Sequence, residues 1–423
     1  MTVRSGLAAG LAVAIAGAVV LAALAAGAPA AAETQSRQEV EARFRGWLED
    51  EVWSDARARG VSRLTFEKAF AGVRLDWSLP DLGPPGGAAK GPEIQWQAEF
   101  LSPARYFAES KVDPLVRIGR DLMGRWRKTL EAVERGYGVA PEIVVAIWGS
   151  ESAFGRAALP RPVLSTLATM AFLGNRRETF YPELLAALQI LEGDHIPLSE
   201  MRGSMAGALG QPQFLPSKYL RFAVDFDGDG RRDIWRSVPD TLASIANYLK
   251  QHGWTEAAHW GVEAAVPAAV SCALEGPEQG RPLADWREAG VTRIDGQALP
   301  GAARETRFLM MPAGRLGPAF IVSENFYVLK TYNESDLYAL LIGHLADRLR
   351  GEGRIKGRWG TVAGFTRGEV RVLQEHLLAS GHDVGGADGL VGFKTRIALG
   401  IWQAANGLRP TCFPDRDLIG SLR

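Results

Sequence analysis

Apolar residues recur at helical spacing along most of the chain. The first example is Phe44, Trp47, Leu48 and Val52, whose spacing predicts helices within residues 38–75. Similar patterns predict a long helix from about Pro114 to Arg135 and shorter helices at 141–151, 163–173, 181–193, 216–223 and 239–252. A Pro/Gly-rich run, Ser78–Ile94, predicts a surface connection after the first helices. The pattern therefore predicts a mainly helical protein.

The pattern changes between about Val262 and Ile321. Short apolar runs bounded by Gly and Pro replace the helical spacing there, which predicts a small β-rich region. The next segment, "NESDLYALLIGHLADRLRG", returns to a helical pattern, with Asn333 or Ser335 as its N-cap and Gly351 as its end.

The last part of the chain has the pattern of a separate module. Residues 351–364, "GEGRIKGRWGTVAG", are glycine-rich and basic, which is typical of an interdomain linker. Residues 365–423 then hold two helical patterns, "RGEVRVLQEHLLASG" and "GFKTRIALGIWQAANG", joined by a Gly/Asp loop. We therefore expect a small helical module after a main domain that covers residues 33–350.

The amino terminus has the pattern of an export signal. Arg4 precedes an apolar stretch from Leu7 to about Ala26, and small residues suited to cleavage follow up to Ala32. A retained membrane anchor is the alternative, because the stretch approaches the roughly 20 residues needed to span a bilayer. We favour cleavage after residues 1–32, because the stretch is rich in Ala and Gly. This region contains no cysteine that could carry a lipid anchor.

Charge and cysteine content narrow the possible functions. The chain has 48 basic and 48 acidic residues and a formal net charge of zero, which argues against a nucleic-acid partner. Its two cysteines, Cys272 and Cys412, are far apart in sequence. We expect them to be unpaired thiols in different domains, although an exported chain also permits a disulfide. No CxxC or HxxxH spacing supports a Cys/His metal site.

A carboxylate ends the apolar run "IVVAIWGSESAFG". If this run is a helix that begins near Pro141, then Ile147, Trp148 and Glu151 share one face. Burial of that face would raise the pKa of Glu151 and keep it protonated near neutrality, as the general acid of glycosidic cleavage requires. The alternative is a solvated glutamate at a frayed helix end, and the spacing alone favours that alternative.

A glycine-rich segment, "MRGSMAGALGQPQFLPSKYL", contains further candidate site residues. Its glycines permit close approach of the backbone to a ligand, and Ser204 and Gln213 offer hydrogen bonds to a sugar or to the glutamate. A tightly packed turn before a helix is the alternative.

Aspartates recur at alternate positions in "DFDGDGRRDIWRSVPD". Asp225, Asp227 and Asp229 match the first, third and fifth positions of a calcium-binding loop, and Arg231 would offer its backbone carbonyl at the seventh. Position 12 is an arginine rather than the bidentate glutamate, so the complete pattern is absent. Asp240 is the candidate for the missing carboxylate. The loop is therefore either a site for Ca²⁺ or another hard cation, or a polar Asp/Gly turn.

Together these segments resemble one protein family. "GVAPEIVVAIWGSESAFG", "RGSMAGALGQPQFLPSKYLRFAVDFDGDGRRDIW", "SIANYLKQHGW" and "ENFYVLKTYNESDLYALLIGHLADRL" occur in the order found in the membrane-bound lytic transglycosylase B family of peptidoglycan-cleaving enzymes. The resemblance covers roughly residues 36–350, with Phe154 at a position where the family commonly has tyrosine. The tail, "LQEHLLASGHDVGGADGLVGFKTRIALGIWQAANGL", resembles the peptidoglycan-binding domain often appended to such enzymes.

The resemblance implies a mainly α (α+β) fold, with a lysozyme-like helical catalytic domain, a small β-rich insertion and a C-terminal three-helix peptidoglycan-binding domain. It implies Glu151 as the lone catalytic acid, with Ser204, Gln213, Tyr332 and Asn333 along the sugar groove. It also implies a cation site in the Asp loop of some members, no required cofactor, peptidoglycan glycan strands as the partner and a periplasmic location.

The implied reaction cleaves the β-1,4 bond between N-acetylmuramic acid and N-acetylglucosamine and leaves a 1,6-anhydromuramic acid end, for cell-wall remodelling or turnover. One alternative is a hydrolytic muramidase, which typically uses a second carboxylate. The other is a non-catalytic peptidoglycan-binding scaffold, which would not need Glu151. Complexes with other cell-wall enzymes are compatible with each function.

Overall fold

The computed structural model of the protein describes residues 37–80, 82, 103–256, 258–360 and 365–421. The expected export signal, residues 1–32, and most of the predicted connection Ser78–Ile94 lie outside this part of the chain. None of the helices described in it combines the length and the apolar character that a membrane span requires.

The described chain is mainly helical, as the apolar pattern predicts. A short π-helical turn, Leu48–Val52, joins the first two helices. The helices are α1 (37–47), α2 (Trp53–Ala58), α3 (Arg63–Phe70), α4 (Pro103–Tyr106), α5 (Glu109–Arg125), α6 (Arg127–Tyr137), α7 (Pro141–Ser152), α8 (Val163–Leu173), α9 (Arg177–Glu192), α10 (Pro216–Phe222), α11 (Val238–Gln251), α12 (Leu283–Glu288), α13 (Glu324–Asn333), α14 (Asp336–Arg350), α15 (Arg367–Ala379), α16 (Phe393–Ala405) and α17 (Arg416–Ser421).

The chain divides into two compact units. The first takes the chain up to Ala89 together with Pro162–Glu200, and the second takes Lys90–Arg161 and Met201–Arg423. An aromatic cluster fills the first unit, where Phe172 on α8 lies 5.5 Å from Phe44 and 5.2 Å from Trp47 between ring centroids. The second unit holds α7, the sheet and the C-terminal helices.

The predicted helix from Pro114 to Arg135 is instead two helices. α5 begins at Glu109, before Pro114, and ends where Trp126 leaves the helical conformation, with φ −99° and ψ 18°. The Trp126 N–H still donates to the Leu122 carbonyl at 2.8 Å, so the chain bends while keeping this bond. The apolar spacing continues across the bend, which is why the sequence pattern does not reveal it.

Five short strands form the β-rich region of the second unit, as the sequence predicts for 262–321. They are β3 (Gly261–Ala265), β4 (Arg281–Pro282), β5 (Thr292–Arg293), β6 (Thr306–Met310) and β7 (Ala319–Val322), following β1 (Arg161–Pro162) and β2 (Arg202–Gly203) in the chain. The sheet order is β4-β6-β7-β3-β5, and its pairs are antiparallel. Trp286 from α12 packs in the same apolar core as Leu309 and Ile321 of the sheet.

Three helices, α15 to α17, form the C-terminal module. Thr366 and Glu369 form a capping box, in which each side chain accepts a hydrogen bond from the other residue's backbone N–H. Leu373, Leu377 and Leu399 are buried between these helices. Residues 352–360, before the module, form no helix or strand.

Cys272 and Cys412 form a disulfide, so the expectation of two unpaired thiols is wrong. Their Cα atoms lie 6.1 Å apart although 140 positions separate them in sequence. Both cysteines are buried in the core beneath the sheet. The chain near Cys412, in the C-terminal module, packs in this core. The sequence separation of the two cysteines does not reveal this contact.

Candidate active site

Helix α7 carries Glu151 and lies inside the second unit. It packs against α5, α6, α11 and α14. Pro141 occupies its first turn, where a missing N–H costs nothing. Residues 143–149 and Ser152 are buried, so the helix is apolar on nearly every side rather than on one face.

The chain turns sharply just after Glu151. Ala153, Phe154 and Gly155 all have positive φ, at 48°, 62° and 76°. The Ser152 hydroxyl accepts a hydrogen bond from the Gly155 N–H at 2.9 Å, which holds this turn. The helix end is therefore fixed by its own hydrogen bonds, and the alternative of a frayed end does not describe it.

Two glycines near Glu151 have defined packing roles. A Cβ atom on Gly149 would lie 2.6 Å from the Phe154 ring, and a Cβ atom on Gly155 would lie 2.5 Å from the Gln211 amide oxygen. The Phe154 ring packs edge-on against Trp148 at 5.3 Å. The two glycines therefore let the turn fold back onto the helix.

Glu151 lies deep among packed side chains, yet part of its surface remains accessible. Ile147 and Trp148, which share its helix face, are almost completely buried. Desolvation raises the pKa of Glu151 from 4.5 to about 7, against the hydrogen bond from Tyr338 and the charge of Lys218, which lower it. A large fraction of Glu151 is therefore protonated near neutral pH.

Two residues beside Glu151 are not among those that the sequence indicates. The Tyr338 hydroxyl on α14 donates a hydrogen bond to Glu151 Oε1 at 2.6 Å. Burial and the nearby Glu151 raise the pKa of Tyr338, so the phenol remains a neutral donor. The Lys218 ammonium on α10 donates to the Tyr332 carbonyl and the Tyr248 hydroxyl, both at 3.4 Å. The sequence feature that could have identified Tyr338 is a tyrosine on an otherwise apolar helix face, because a buried tyrosine hydroxyl usually has a hydrogen-bond partner.

Gln211, another residue that the sequence reasoning missed, connects α7 to the glycine-rich segment. Its side-chain oxygen accepts a hydrogen bond from Trp148 Nε1 at 2.7 Å, and its Nε2 donates to the Trp235 carbonyl at 3.0 Å. Because Gln211 is buried, both ends of its amide have a hydrogen-bond partner, as a buried polar group requires.

The glycine-rich segment forms a tight turn with both predicted polar residues in it. Ser204 is half-buried, and its hydroxyl accepts hydrogen bonds from the N–H groups of Ala206 and Ala208. Gln213 has a positive φ of 55°, and its side-chain nitrogen donates to the Gly210 carbonyl at 2.8 Å. Left-handed backbone at a non-glycine residue is strained and is concentrated at functional sites.

Tyr332 and Asn333 lie at the end of α13. Tyr332 is buried, its hydroxyl donates to the Pro212 carbonyl at 2.7 Å, and its ring stacks on Tyr338 at 6.2 Å between centroids. Asn333 is exposed. Tyr332 therefore links the glycine-rich segment to the tyrosine that contacts Glu151.

The Asp loop brings three of its predicted ligands together. One carboxylate oxygen from each of Asp225, Asp227 and Asp229 lies within 4.8 Å of the others. Asp240 is not part of this cluster: it is buried against the loop and accepts hydrogen bonds from the N–H groups of Phe226 and Asp233, at 2.8 Å each. It therefore fixes the fold of the loop, while the three clustered carboxylates provide hard oxygen donors for a cation.

The chain matches a known protein family over most of its length. A family model described as the transglycosylase SLT domain matches residues 43–347. The membrane-bound lytic murein transglycosylase B of Escherichia coli is 31% identical over 268 residues, which cover 62% of this chain and 68% of that protein.

Solved structures with the same fold are also found. SltB3 of Pseudomonas aeruginosa, in complex with NAG-anhNAM-pentapeptide, is 39% identical and superposes with a TM-score of 0.79 over 90% of this chain and 99% of that chain. The lytic transglycosylase Slt35 of Escherichia coli, in complex with calcium, is 30% identical with a TM-score of 0.51 over 60% of this chain and 80% of that chain.

Proposed function

The chain belongs to the transglycosylase SLT family, and from this premise we propose that Glu151 is the catalytic acid of a lytic murein transglycosylase. The substrate is the β-1,4 bond between N-acetylmuramic acid and N-acetylglucosamine in peptidoglycan, and the product carries a 1,6-anhydromuramic acid end. The observation that carries the assignment is the burial of the Glu151 carboxyl, which raises its pKa to about 7.

In the proposed first step, neutral Glu151 donates its proton to the oxygen that links the two sugars. The bond from that oxygen to the anomeric carbon breaks, and positive charge develops on the muramic acid ring. The sugar's acetamido group shares this charge. General acids work best when their pKa is close to the working pH, a condition that the raised pKa of Glu151 meets near neutrality.

In the second step, the Glu151 carboxylate takes the proton from the muramic acid C6 hydroxyl as that oxygen attacks the anomeric carbon. The glutamate returns to its neutral form, and no water is consumed. The attack is intramolecular, so proximity favours it over attack by water. No cofactor takes part in either step.

The surroundings of Glu151 favour this reaction over hydrolysis. Burial raises its pKa, the Tyr338 hydroxyl and the Lys218 ammonium lower it, and no carboxylate within the described residues contributes to the shift. Hydrolysis of a glycosidic bond typically uses a second carboxylate as base or nucleophile. A hydrolytic muramidase is the second candidate, and products without anhydro ends would identify it.

We also propose roles for the residues around the groove. Ser204, Gln213 and Asn333 contact the sugars, in keeping with their polar side chains and partial or full exposure. Tyr332 contributes to substrate binding mainly through its position, because its hydroxyl already donates to Pro212. Tyr338 holds the Glu151 carboxyl in place.

The Asp loop is proposed to bind Ca²⁺ or a similar hard cation through Asp225, Asp227 and Asp229, with the Arg231 carbonyl as a further ligand. The three clustered carboxylates support this proposal, as does the calcium complex of Slt35. Asp240 remains the proposed last carboxylate, although its oxygens also accept backbone hydrogen bonds. The cation would stabilise the loop and takes no part in the reaction.

We further propose a periplasmic location, with residues 1–32 as a cleaved export signal and residues 365–423 as a peptidoglycan-binding domain after the linker 351–364. Main-domain residues 33–350 would then carry catalysis. The glycan strand is the partner that the site requires, and complexes with other cell-wall enzymes would depend on surfaces outside it.

The assignment is tested with Glu151→Gln on purified sacculi. We expect binding to persist and release of anhydro-muropeptides, measured by mass spectrometry, to fall below detection. Glu142→Gln, at the start of the same helix, is the matched control and should retain activity. Undiminished release of anhydro-muropeptides by Glu151→Gln would rule out Glu151 as the acid.

A further inference from the structure

A buried arginine of the C-terminal module contacts the part of the chain that carries Tyr338. Arg396 lies on α16 with a side-chain exposure of 3%. Its Nη2 donates to Asp336 at 2.8 Å and to Glu275 at 2.6 Å, and its Nε donates to Glu275 Oε2 at 3.0 Å. One guanidinium therefore joins the module, the β-rich region and the first residue of α14.

The two carboxylates depend on this arginine because both lie away from water. Glu275 has a side-chain exposure of 0% and Asp336 of 10%. Asp336 has one further partner, the Lys330 ammonium on α13 at 2.7 Å. Without Arg396, buried Glu275 would lose its guanidinium partner and Asp336 would keep Lys330 alone, so the surrounding structure must shift or admit water.

Asp336 lies at the turn between α13 and α14. Glu334, in this turn, adopts the left-handed conformation at φ 54°, which is unfavourable for a residue with a Cβ atom. Ser335 caps α14 by accepting a hydrogen bond from the Tyr338 N–H at 3.3 Å. The position of Tyr338 therefore depends on this turn, and Arg396 and Lys330 hold the turn through Asp336.

We propose that Arg396 is a positioning residue for the reaction, because it fixes the turn between α13 and α14 and thereby holds the Tyr338 hydroxyl against Glu151. This inference rests on the proposed catalytic role of Glu151. It makes the C-terminal module part of the support of the active site, in addition to any binding of the cell wall by that module.

The coupling predicts a change in the pH dependence of catalysis as well as in its rate. Glu151 faces Tyr338, Tyr332 and Lys218. The Tyr338 hydrogen bond lowers the pKa of Glu151, so weakening it raises that pKa further and keeps the acid protonated to higher pH. The basic limb of the kcat profile should therefore move to higher pH while kcat falls.

The test compares Arg396→Gln with Arg371→Gln, an exposed arginine on α15 of the same module. A short soluble glycan is the substrate, so that wall binding by the module does not enter the rate. We expect Arg396→Gln to lower kcat about tenfold, since small misplacements of catalytic groups have effects of this size or larger. KM should change little, and the basic limb of the kcat profile should move to higher pH. Arg371→Gln should have the kcat and the pH profile of wild type.

Tyr338→Phe distinguishes a positioning role of Arg396 from a purely structural one, because loss of structural support alone would not shift the basic limb of the kcat profile. It should shift the basic limb in the same direction, and adding Arg396→Gln to it should produce little further change. Additive effects, an unshifted basic limb, or a kcat equal to that of Arg371→Gln would each overturn the proposal. Glu151→Gln is assayed alongside, because activity in that variant refutes the catalytic assignment rather than the coupling.

If Arg396→Gln does not fold, Asp336→Asn is the substitute, because it leaves the pair between Arg396 and Glu275 intact. The same fall in kcat and the same displacement of the basic limb are expected for it. A folded Asp336→Asn enzyme with the wild-type profile would refute the coupling.

Discussion

Replacing Glu151 by glutamine should stabilise the folded protein, and the gain should grow as the pH rises. The pKa of Glu151 is raised by burial from 4.5 to about 7. The folded state therefore binds this proton more tightly than the unfolded state does. The stability that the protein gains from this tighter proton binding is complete below pH 4.5 and is lost as the pH rises to about 7.

The size of the effect follows from the displacement of the pKa. A difference of about 2.5 units at 1.36 kcal/mol per unit corresponds to roughly 3 kcal/mol. Glutamine fills nearly the same space and does not titrate. The free energy of unfolding of Glu151→Gln, relative to wild type, should therefore rise by up to roughly 3 kcal/mol between pH 4.5 and pH 8.

Urea unfolding, followed by tryptophan fluorescence at several pH values, measures this difference. Other titrating groups contribute equally to both proteins and cancel in the comparison. Glu142→Gln, at the other end of α7, separates the loss of any carboxylate on this helix from the loss of the buried one. A difference between Glu151→Gln and wild type that stays constant from pH 4.5 to pH 8 would refute the argument that burial keeps Glu151 protonated.

Three further variants test other parts of the structure. Lys218→Met removes a positive charge that lowers the pKa of the buried glutamate, so the basic limb of the kcat profile should move to higher pH, and a downward shift would contradict this. Gly149→Ala places a methyl group 2.6 Å from Phe154 and should destabilise the protein by about 1–3 kcal/mol, measured as a lower Tm, whereas an unchanged Tm would show that the ring can move away. The Cys272→Ala/Cys412→Ala double variant opens a loop with a sequence separation of 140, for which chain entropy gives an upper value of about 5 kcal/mol. A reductant should lower the Tm of wild type but not of this variant. If it lowered the Tm of both proteins equally, its effect would not come from this disulfide.

Helix positions could be predicted from the sequence because one local pattern determines them. Apolar spacing and end signals place Pro141, Val163 and Pro216 at or near the starts of helices, and the structure begins helices at these residues. The bend at Trp126 could not be predicted, because it changes backbone angles without interrupting the apolar spacing. Local signals therefore identify helices better than they identify breaks within them.

In the site, too, residues that a local sequence pattern marks could be predicted, and residues whose roles depend on distant parts of the chain could not. Glu151 stands out within its own segment, and the family resemblance assigns it a reaction. Tyr338 and Gln211 do not stand out, because their roles depend on contacts with residues 187 and 63 positions away in the chain. The disulfide belongs to the same class of feature, since neither cysteine carries a local sign of its partner.

The disulfide also limits when the structure around the site can be completed during synthesis. Cys272 and Cys412 close a covalent ring that contains Tyr332 and Tyr338. A ribosome makes the chain from its amino terminus, so the ring stays open until Cys412 has been made. Arg396, too, is made after Asp336, so this ion pair cannot form until Arg396 has been made. The segment that holds Tyr338 against Glu151 can therefore reach its final form only when nearly all of this chain exists, long after Glu151 itself has been made.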